Sequence, residues 1–458
     1  MNSVFEERNI QKAIVTLGVP AMLGQLATLI YNIVDTYFVS LTDMPAQIAA
    51  VTLCSPILLI VMSVSSVFGM GGASVIARLL GAKKQGDAEK CVNYCFYTLA
   101  ISGVVTLFLG LLLVEPIARL AGADAENIVY TCDYLRWIFI GAPFIILSTG
   151  MAHILRSTAL IKEAMISILL GNAVNILFDW IFIVLLGMGT AGAAAATSFG
   201  YLCATVYLVI VVRIRKGEQR ELYALKVKEY RPAKAMTFDV VKIGIPGALI
   251  TVMLSAANIV LNNFIGIYGS DAVASYGIAY RIVMFPMMLL VGLGQGVAPL
   301  IGYCYGAEQD DRLNKVMVLA SFDGGILGAV FTVVFLFTSE LLTSIFLRDQ
   351  ALIEQSALFL RILCLSAPLQ GLINMVTSYF QALGKALPSL LITLLRNVVI
   401  FVPCVVLANL FFGLNGIIAA QPVVEALLAA VCIIMYRLSI TKIRNIAIST
   451  ASLKSILS

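Results

Sequence analysis

The sequence predicts an all-α, polytopic membrane protein with twelve transmembrane helices in two six-helix lobes, related by a pseudo-two-fold axis along the membrane normal. Composition, the length of the apolar stretches and an internal repeat predict it. Hydrophobic residues make up 60% of the 458 residues and charged residues only 12%, whereas soluble domains carry roughly 25% charged residues. So few charges cannot cover a water-facing surface of this size, which argues against a soluble enzyme or a nucleic-acid-binding protein.

Twelve apolar stretches are long enough to cross a bilayer, which takes roughly 20 residues of helix. Several are longer than a straight crossing needs, so we expect tilted or kinked helices. The predicted spans cover residues 13–39, 47–78, 92–114, 131–157, 162–186, 190–213, 238–267, 271–304, 314–338, 355–381, 386–411 and 414–437.

Basic residues predict the orientation of these spans. With the N-terminus inside, most of the 30 Lys and Arg residues fall in inside-facing segments, whereas the outside loops hold Arg119 and Arg348. The positive-inside rule therefore predicts a multi-pass protein of the cell (plasma or inner) membrane with both termini cytoplasmic. The net charge of +5 follows from this topology and indicates no acidic partner.

The two halves of the chain repeat one pattern. The segment 17–20, Leu-Gly-Val-Pro, returns at 243–246 as Ile-Gly-Ile-Pro, and the Gly-Ala pair at 81–82 returns at 306–307. Each half holds six spans, and an even number returns the second copy in the same orientation, so these are parallel repeats. The predicted domains are an N-lobe (1–212), a basic cytoplasmic linker (213–237) and a C-lobe (238–458).

Two acids in the N-terminal spans are the strongest candidate site. An ionisable side chain at membrane depth is costly, so Asp35 and Asp179 are site candidates by default. Counted at 1.5 Å per helical residue, both fall in the outer half of the membrane, as does Thr197. Asn175 is one turn from Asp179, and Tyr31 is one turn from Asp35.

No Lys or Arg in the middle of these spans neutralises the two carboxylates, and two such groups in a low dielectric cannot comfortably both ionise. A proton, a small cation or a cationic substrate must compensate, and its cyclic binding and release makes a coupling device. Oxygen ligands suit sodium, whereas the acid pair alone can share a proton. We expect protons, with sodium at Asp35, Asp179, Asn175 and Thr197 as the alternative, and no cofactor or other metal.

The C-terminal half has a different set of embedded charges. Arg396 and Glu425 lie at similar depth on adjacent spans and could pair, while Asp323 could pair with Arg281 or lie in a substrate cavity. A Met- and aromatic-rich run over 276–288 is typical of surfaces that accommodate varied ligands, although ordinary packing explains it equally well. The candidate residues of a substrate cavity are Tyr276, Tyr280, Arg281, Met284, Met287 and Asn258.

Two further residues stand out in the N-terminal half. Pro20 lies in the same span as Asp35 and is a candidate for helix bending, because proline frees a backbone group that neighbours must satisfy. His153 is the only histidine. It falls late in the fourth span, near the cytoplasmic side, and we expect it to take no part in proton transfer.

These features together resemble the multidrug and toxic compound extrusion (MATE) family over essentially the full length. The resemblance lies in the paired Gly-x-Pro helix starts at 18–20 and 244–246, the acid at Asp35, the Gly-Ala loops at 81 and 306, and the twelve spans in two repeats. The segment 274–278, Ala-Ser-Tyr-Gly-Ile, followed by Arg281, is similar to the MepA-type branch.

The resemblance implies a transporter and no enzyme: a secondary active multidrug efflux antiporter that exports cationic amphipathic compounds in exchange for protons, or sodium, by alternating access. Its partners are then small molecules and the lipid bilayer, and one monomer suffices because the cleft lies between its own lobes. The family's N-lobe cation site matches this chain residue by residue, with Tyr31 close by, at Asp35, Asn175, Asp179 and Thr197.

The chain departs from family members that carry acids in the seventh and tenth spans. Its seventh span has Asn258, Asn262 and Asn263 but no acid in the membrane core, which leaves the N-lobe as the coupling centre. The alternative function is a lipid-linked precursor flippase, which needs a strongly cationic cavity, whereas only Arg281 and Arg396 lie deep. An intramembrane aspartyl protease is disfavoured because neither N-lobe acid follows a Gly-x-Gly motif.

Overall fold

A computed structural model describes residues 4–42, 44–214, 222–223, 225 and 234–457. Within these ranges the regular structure is helical. The N-terminal half forms α1 (Ile10–Ser40), α2 (Pro45–Gly81), α3 (Gln85–Leu112), the short α4 (Val114–Leu120), α5 (Ile128–Ser157), α6 (Ile161–Asp179) and α7 (Gly189–Ile214). The C-terminal half forms α8 (Lys234–Gly266), α9 (Ser270–Gly306), α10 (Asp310–Ser344), α11 (Gln350–Cys364), α12 (Ala367–Ala382), α13 (Ala386–Leu394) and α14 (Phe401–Leu457).

The helices account for the twelve predicted spans. Helices α11 and α12 form the tenth span, which bends by 44° where Pro368 starts α12. The last two spans run together from Ala386 to Thr441, and the chain turns between them at Gly413, with φ of 59°, a conformation that glycine adopts at little cost. The all-α, twelve-helix, two-lobe fold is therefore confirmed.

The internal repeat is visible in the backbone. Helices α2 and α9 each have 37 residues, and the loops that follow them hold Lys83 and Glu308 at positive φ, 58° and 55°. The Gly-Ala motifs at the ends of these helices also meet across the molecule. A Cβ atom at Gly81 would lie 2.1 Å from the Tyr303 carbonyl oxygen, and one at Gly306 would lie 2.0 Å from that of Arg78.

The two lobes meet through close backbone crossings at small residues, as expected where membrane helices pack tightly. Helix α1 crosses α9, where Gly296 packs on the backbone of Leu17. Helix α2 crosses α8, where a Cβ atom at Gly244 would lie 1.8 Å from the Val67 carbonyl oxygen. Each crossing lies nearer to the helix ends on the side of the termini.

Side-chain hydrogen bonds between the lobes lie on the same side or near mid-depth, as far as the described residues show. Ser74 Oγ donates to the Gln381 carbonyl oxygen at 2.7 Å, and Gln25 Nε2 donates to Gln295 Oε1 at 2.9 Å. Gln11 Nε2 donates to Asp323 Oδ2 at 2.8 Å. Asp323 is thus partnered by the first helix.

The segment before α1 crosses from the N-lobe to the C-lobe. Phe5 is buried and stacks on Tyr303 with ring centroids 5.2 Å apart, and the Tyr303 hydroxyl donates to Glu6 Oε1 at 2.9 Å. Arg312 Nη2 donates to the Glu7 carbonyl oxygen at 2.9 Å. The lobes are therefore tied together on the side of the termini.

Most of the predicted linker, 213–237, lies outside the described residues. Of the part that is described, Leu222 and Tyr223 are buried, and the Tyr223 hydroxyl bonds to that of Thr158 at the end of α5. Tyr97 of α3 donates to the Leu225 carbonyl oxygen at 2.7 Å. This segment packs against the N-terminal half.

Candidate functional site

The two N-lobe aspartates lie next to each other. Asp35 is half-buried in the C-terminal part of α1, and Asp179 is fully buried at the last position of α6. Their carboxyl groups are close enough to interact directly. Helices far apart in sequence therefore converge on one acidic point in the half of the membrane away from the termini.

Helix α6 changes its winding at this point. The residues after Asp179, Trp180–Leu185, form a π-helical turn. Such turns are rare within α-helices and are frequent at functional sites. The turn begins directly after Asp179, whose own backbone is α-helical, with φ of −58° and ψ of −47°.

Three further side chains form a group of contacts beside the acid pair. Asn175 Nδ2 donates to Thr197 Oγ1 at 3.2 Å, and the Tyr31 hydroxyl lies 3.5 Å from the same oxygen. All three residues are buried. The structure thus brings together α1, α6 and α7 at the five positions that the sequence places in the cation-coupling set: Asp35, Asp179, Asn175, Thr197 and Tyr31.

The distinctive feature of this cluster is a lack of hydrogen-bond donors. Four buried oxygens accept no hydrogen bond: Asp35 Oδ1, Asn175 Oδ1 and both carboxyl oxygens of Asp179. No Lys or Arg among the described residues forms an ion pair with either aspartate. Buried acceptors without partners are costly, so the cluster can accept a proton or a small cation.

A cavity of about 160 Å³ adjoins the cluster. Tyr31, Asn175 and Thr197 line it, whereas the two aspartates lie one helical turn beyond its wall. The sequence-based argument missed most polar members of this wall, among them Asn172 and Tyr201. The position of Asn172, three residues before Asn175 on the same helix face, was the available signal.

Pro20 is buried in α1. The helix runs through it without a break for 31 residues, from Ile10 to Ser40. Pro20 lies close to the crossing of α1 with α9 near Leu17 and Met22. Its predicted bending role stays a prediction.

The C-lobe contains a larger cavity, of about 380 Å³. Three residues of the predicted substrate surface line it, namely Tyr276, Tyr280 and Met287. Arg281 is exposed and Met284 is half-buried, and neither is part of this wall. The side chain of Asn258, the remaining predicted member, lies outside the described residues.

Arg396 and Glu425, whose pairing the sequence left open, form an ion pair in the wall of the C-lobe cavity. Arg396 Nη2 and Nε donate to Glu425 Oε1 at 2.6 Å and 3.0 Å. Arg396 lies within a second π-helical turn, Leu395–Val399.

His153 and Arg156 lie between the lobes. His153 and Gln295 line the N-lobe cavity, the C-lobe cavity and a smaller one of about 60 Å³ between them. Arg156 is 6% exposed, and its Nη1 lies 3.2 Å from both His153 Nδ1 and Gln295 Oε1. The sequence placed His153 near the cytoplasmic side and so missed its position at the junction of three cavities.

Comparison with known proteins gives consistent matches. The MatE family model matches the chain twice, over residues 20–181 and 246–407, which coincide with the two repeats. The multidrug export protein MepA of Staphylococcus saprophyticus is 31% identical over 95% of both chains. MepA of Staphylococcus haemolyticus is 30% identical over 98% of this chain and 97% of its own.

Solved structures match the fold. An outward-facing multidrug resistance MATE family transporter of the MOP superfamily superposes with a TM-score of 0.91, covering 97% of this chain and 98% of its own at 24% identity. A MOP superfamily transporter from Pyrococcus furiosus superposes with a TM-score of 0.89, covering 96% of this chain and 98% of its own, also at 24% identity.

Proposed function

Since the chain belongs to the MatE family of membrane transporters, we propose that it is a multidrug efflux antiporter that exchanges amphipathic cations for protons. The names of its relatives, multidrug export proteins from staphylococci, support export as the direction of transport. The site argument below supports the exchange.

The observation that carries the proposal is the cluster of unpartnered acceptors at Asp35, Asn175 and Asp179. Two neighbouring carboxyl groups without a basic partner need a positive charge to compensate them. A proton supplies that charge by binding one carboxyl oxygen. Sodium is the alternative ion, held by the aspartates with Asn175 and Thr197, because it prefers oxygen ligands.

The lobe contacts suggest which side the ion enters from. The lobes are tied on the side of the termini, by Phe5 on Tyr303 and by Ser74 on the carbonyl of Gln381. If both termini are cytoplasmic, this conformation faces outward, and the acid pair lies in the outer half, where an external proton reaches it. Exchange then requires that proton and drug favour opposite conformations, because a ligand shifts an equilibrium only by its differential affinity.

The test is drug efflux from cells of a pump-deficient bacterium that expresses the protein. We expect Asp35→Asn to abolish export of ethidium while the protein reaches the membrane in normal amount. The matched control is Asp133→Asn, which neutralises an aspartate whose side chain is 41% exposed and paired with Arg136. Normal efflux by Asp35→Asn would contradict the proposed coupling site.

A further inference from the structure

We propose that the Arg396–Glu425 ion pair is a recognition site for zwitterionic substrates, in which the arginine takes the carboxylate and the glutamate takes the cationic group. The inference rests on the proposed export function and names a substrate class for the C-lobe cavity. It assigns to this pair a role beyond holding two helices together.

The geometry of the pair leaves one hydrogen-bonding position unused on each side. Arg396 directs both Nε and Nη2 at the same oxygen, Glu425 Oε1. Glu425 Oε2 is buried and has no hydrogen-bond partner, and Nη1 of Arg396 donates to no described group. A donor and an acceptor of opposite charge therefore remain for a ligand.

A purely structural ion pair would have another form. Arginine and a carboxylate that serve only each other commonly use two parallel hydrogen bonds to both oxygens. Here the Glu425 side chain is 3% exposed and that of Arg396 is 23% exposed, and a buried charge that is only partly satisfied carries a desolvation cost. A charged ligand would recover part of that cost.

The cavity wall supplies the rest of a binding site. Its volume of about 380 Å³ falls in the range of pockets for drug-sized molecules. Tyr276 and Tyr280 stack with ring centroids 5.6 Å apart, which offers an aromatic surface to a planar cation. The Tyr276 hydroxyl is a further buried group without a hydrogen-bond partner. The wall thus combines aromatic surface with unused polar atoms.

The combination of both charges is particular to this cavity. Of the three cavities described above, it alone has a carboxylate and an arginine in its wall. The N-lobe cavity is lined by Arg156 without an acid. The C-lobe wall is therefore the one that complements a zwitterion.

Two matched dyes test the proposal. Rhodamine 110 carries a free carboxyl group, and rhodamine 123 is its methyl ester, so they differ in that one charge. Binding to purified protein is measured by fluorescence anisotropy for the unaltered chain and for Arg396→Gln/Glu425→Gln. This variant keeps the net charge of the cavity. Both dyes lose the contact to Glu425, but only rhodamine 110 also loses the contact of its carboxylate to Arg396. Because hydrogen bonds to charged groups contribute about 1.5–3 kcal/mol, the loss in affinity should be at least about 10-fold larger for rhodamine 110 than for rhodamine 123.

The control variant is Arg361→Gln/Glu340→Gln. It removes an ion pair of similar length, 2.9 Å, whose side chains are 41% and 59% exposed, away from the cavity wall. Neither dye should bind differently to it. If the Arg396/Glu425 double variant does not fold, Arg396→Lys keeps the charge but loses the forked donor geometry, and it should still weaken rhodamine 110 selectively.

Three results would overturn the site. If rhodamine 110 binds the variants with unchanged affinity, the ion pair takes no part in recognition. If both dyes lose affinity equally, the ion pair only supports the structure of the cavity. Failure of the unaltered chain to bind rhodamine 110, while it binds rhodamine 123, would contradict the zwitterion site and leave the export function standing. The two ideas remain separable, because binding in detergent needs no ion gradient.

Discussion

At the scale of single residues, the distinctive feature of the N-lobe site is that several of its buried oxygens have no hydrogen-bond donor. Asp35, Asn175 and Asp179 each present a buried acceptor without a donor. The hydroxyl of Thr197, by contrast, is held by Asn175 and approached by Tyr31. The hydrogen bond to Thr197 therefore fixes the orientation of the Asn175 amide. The amide oxygen, Asn175 Oδ1, then points to another part of the cluster.

Thr197→Val tests this positioning role. The substitution removes the hydroxyl at similar volume and leaves Asn175 Nδ2 without its partner, at a net cost of about 1 kcal/mol. We expect ion-driven efflux to slow by roughly 3- to 10-fold, while drug binding in detergent stays unchanged. Both quantities can be measured on one purified preparation.

Thr205→Val is the matched control. Thr205 is buried on the same helix, α7, but its hydroxyl donates to the Phe144 carbonyl oxygen at 3.0 Å, away from the acid pair. Its efflux rate should equal that of the unaltered chain. Equal slowing in both variants would mean that α7 packing, and not the orientation of Asn175, sets the rate.

At the residue scale, the sequence singles out candidates by the energetic cost of a charge in an apolar span, and their role in ion coupling stays a prediction. Asp35 and Asp179 stand out because acids are rare in apolar spans, and Asn175 follows from helical spacing. Arg156 escaped this reasoning, because a basic residue near a helix end is usually an inside-facing flank. Only the fold reveals that α9 brings Gln295 against it.

At the scale of helices, close crossings at glycine hold the lobes in this conformation. Gly244 of α8 packs directly on the backbone of Val67 in α2. A Cβ atom there would meet backbone, which cannot move as a side chain does. The crossing therefore depends on glycine.

Gly244→Ala should shift the protein away from this conformation. Spin labels at Asp87→Cys and Asp311→Cys, on exposed positions at the starts of α3 and α10, report the distance between lobes on the terminus side by electron paramagnetic resonance. We expect the long-distance fraction to grow in Gly244→Ala.

The control for this effect is Gly277→Ala in α9, because a Cβ atom there has nothing within 4 Å. Its distance distribution should match that of the unaltered chain. If Gly244→Ala also matches, the crossing does not hold the lobes closed.

Helix-scale prediction from sequence was accurate for the number and place of the spans and less so for their shape. Apolar length predicts a span because the bilayer thickness is fixed. It contains no information on a π-helical turn such as Trp180–Leu185 or on where a span bends. Pro368 is a local sequence signal for the bend before α12, but an analysis of apolar length and periodicity does not detect it.

At the scale of the whole molecule, the segment before α1 acts as a tie across the two lobes. Phe5 is 1% exposed, although it lies outside any helix. It packs on Tyr303 of α9, so opening on the terminus side must break this contact. The sequence alone offered no reason to place this segment on the opposite lobe.

Phe5→Ala should weaken that tie. Replacing a buried Phe by Ala costs about 3–5 kcal/mol. Here the substitution destabilises only the conformation that is closed on the terminus side, in which Phe5 packs on Tyr303. We expect the distance between spin labels at 87 and 311 to lengthen without any change at the acid pair. An unaltered distance would show that this contact does not bias the equilibrium between the conformations open and closed on the terminus side.

The central claim is that Asp35 and Asp179 couple drug movement to an ion gradient, and a transport assay in proteoliposomes tests it most directly. A fluorescent cationic dye is preloaded, and a pH gradient or a sodium gradient is imposed separately on the unaltered chain and on Asp35→Asn. The account predicts dye movement driven by the pH gradient alone and lost in Asp35→Asn. Movement under sodium alone would keep the site and replace the ion, whereas movement that persists in Asp35→Asn, or none under either gradient, would contradict the account.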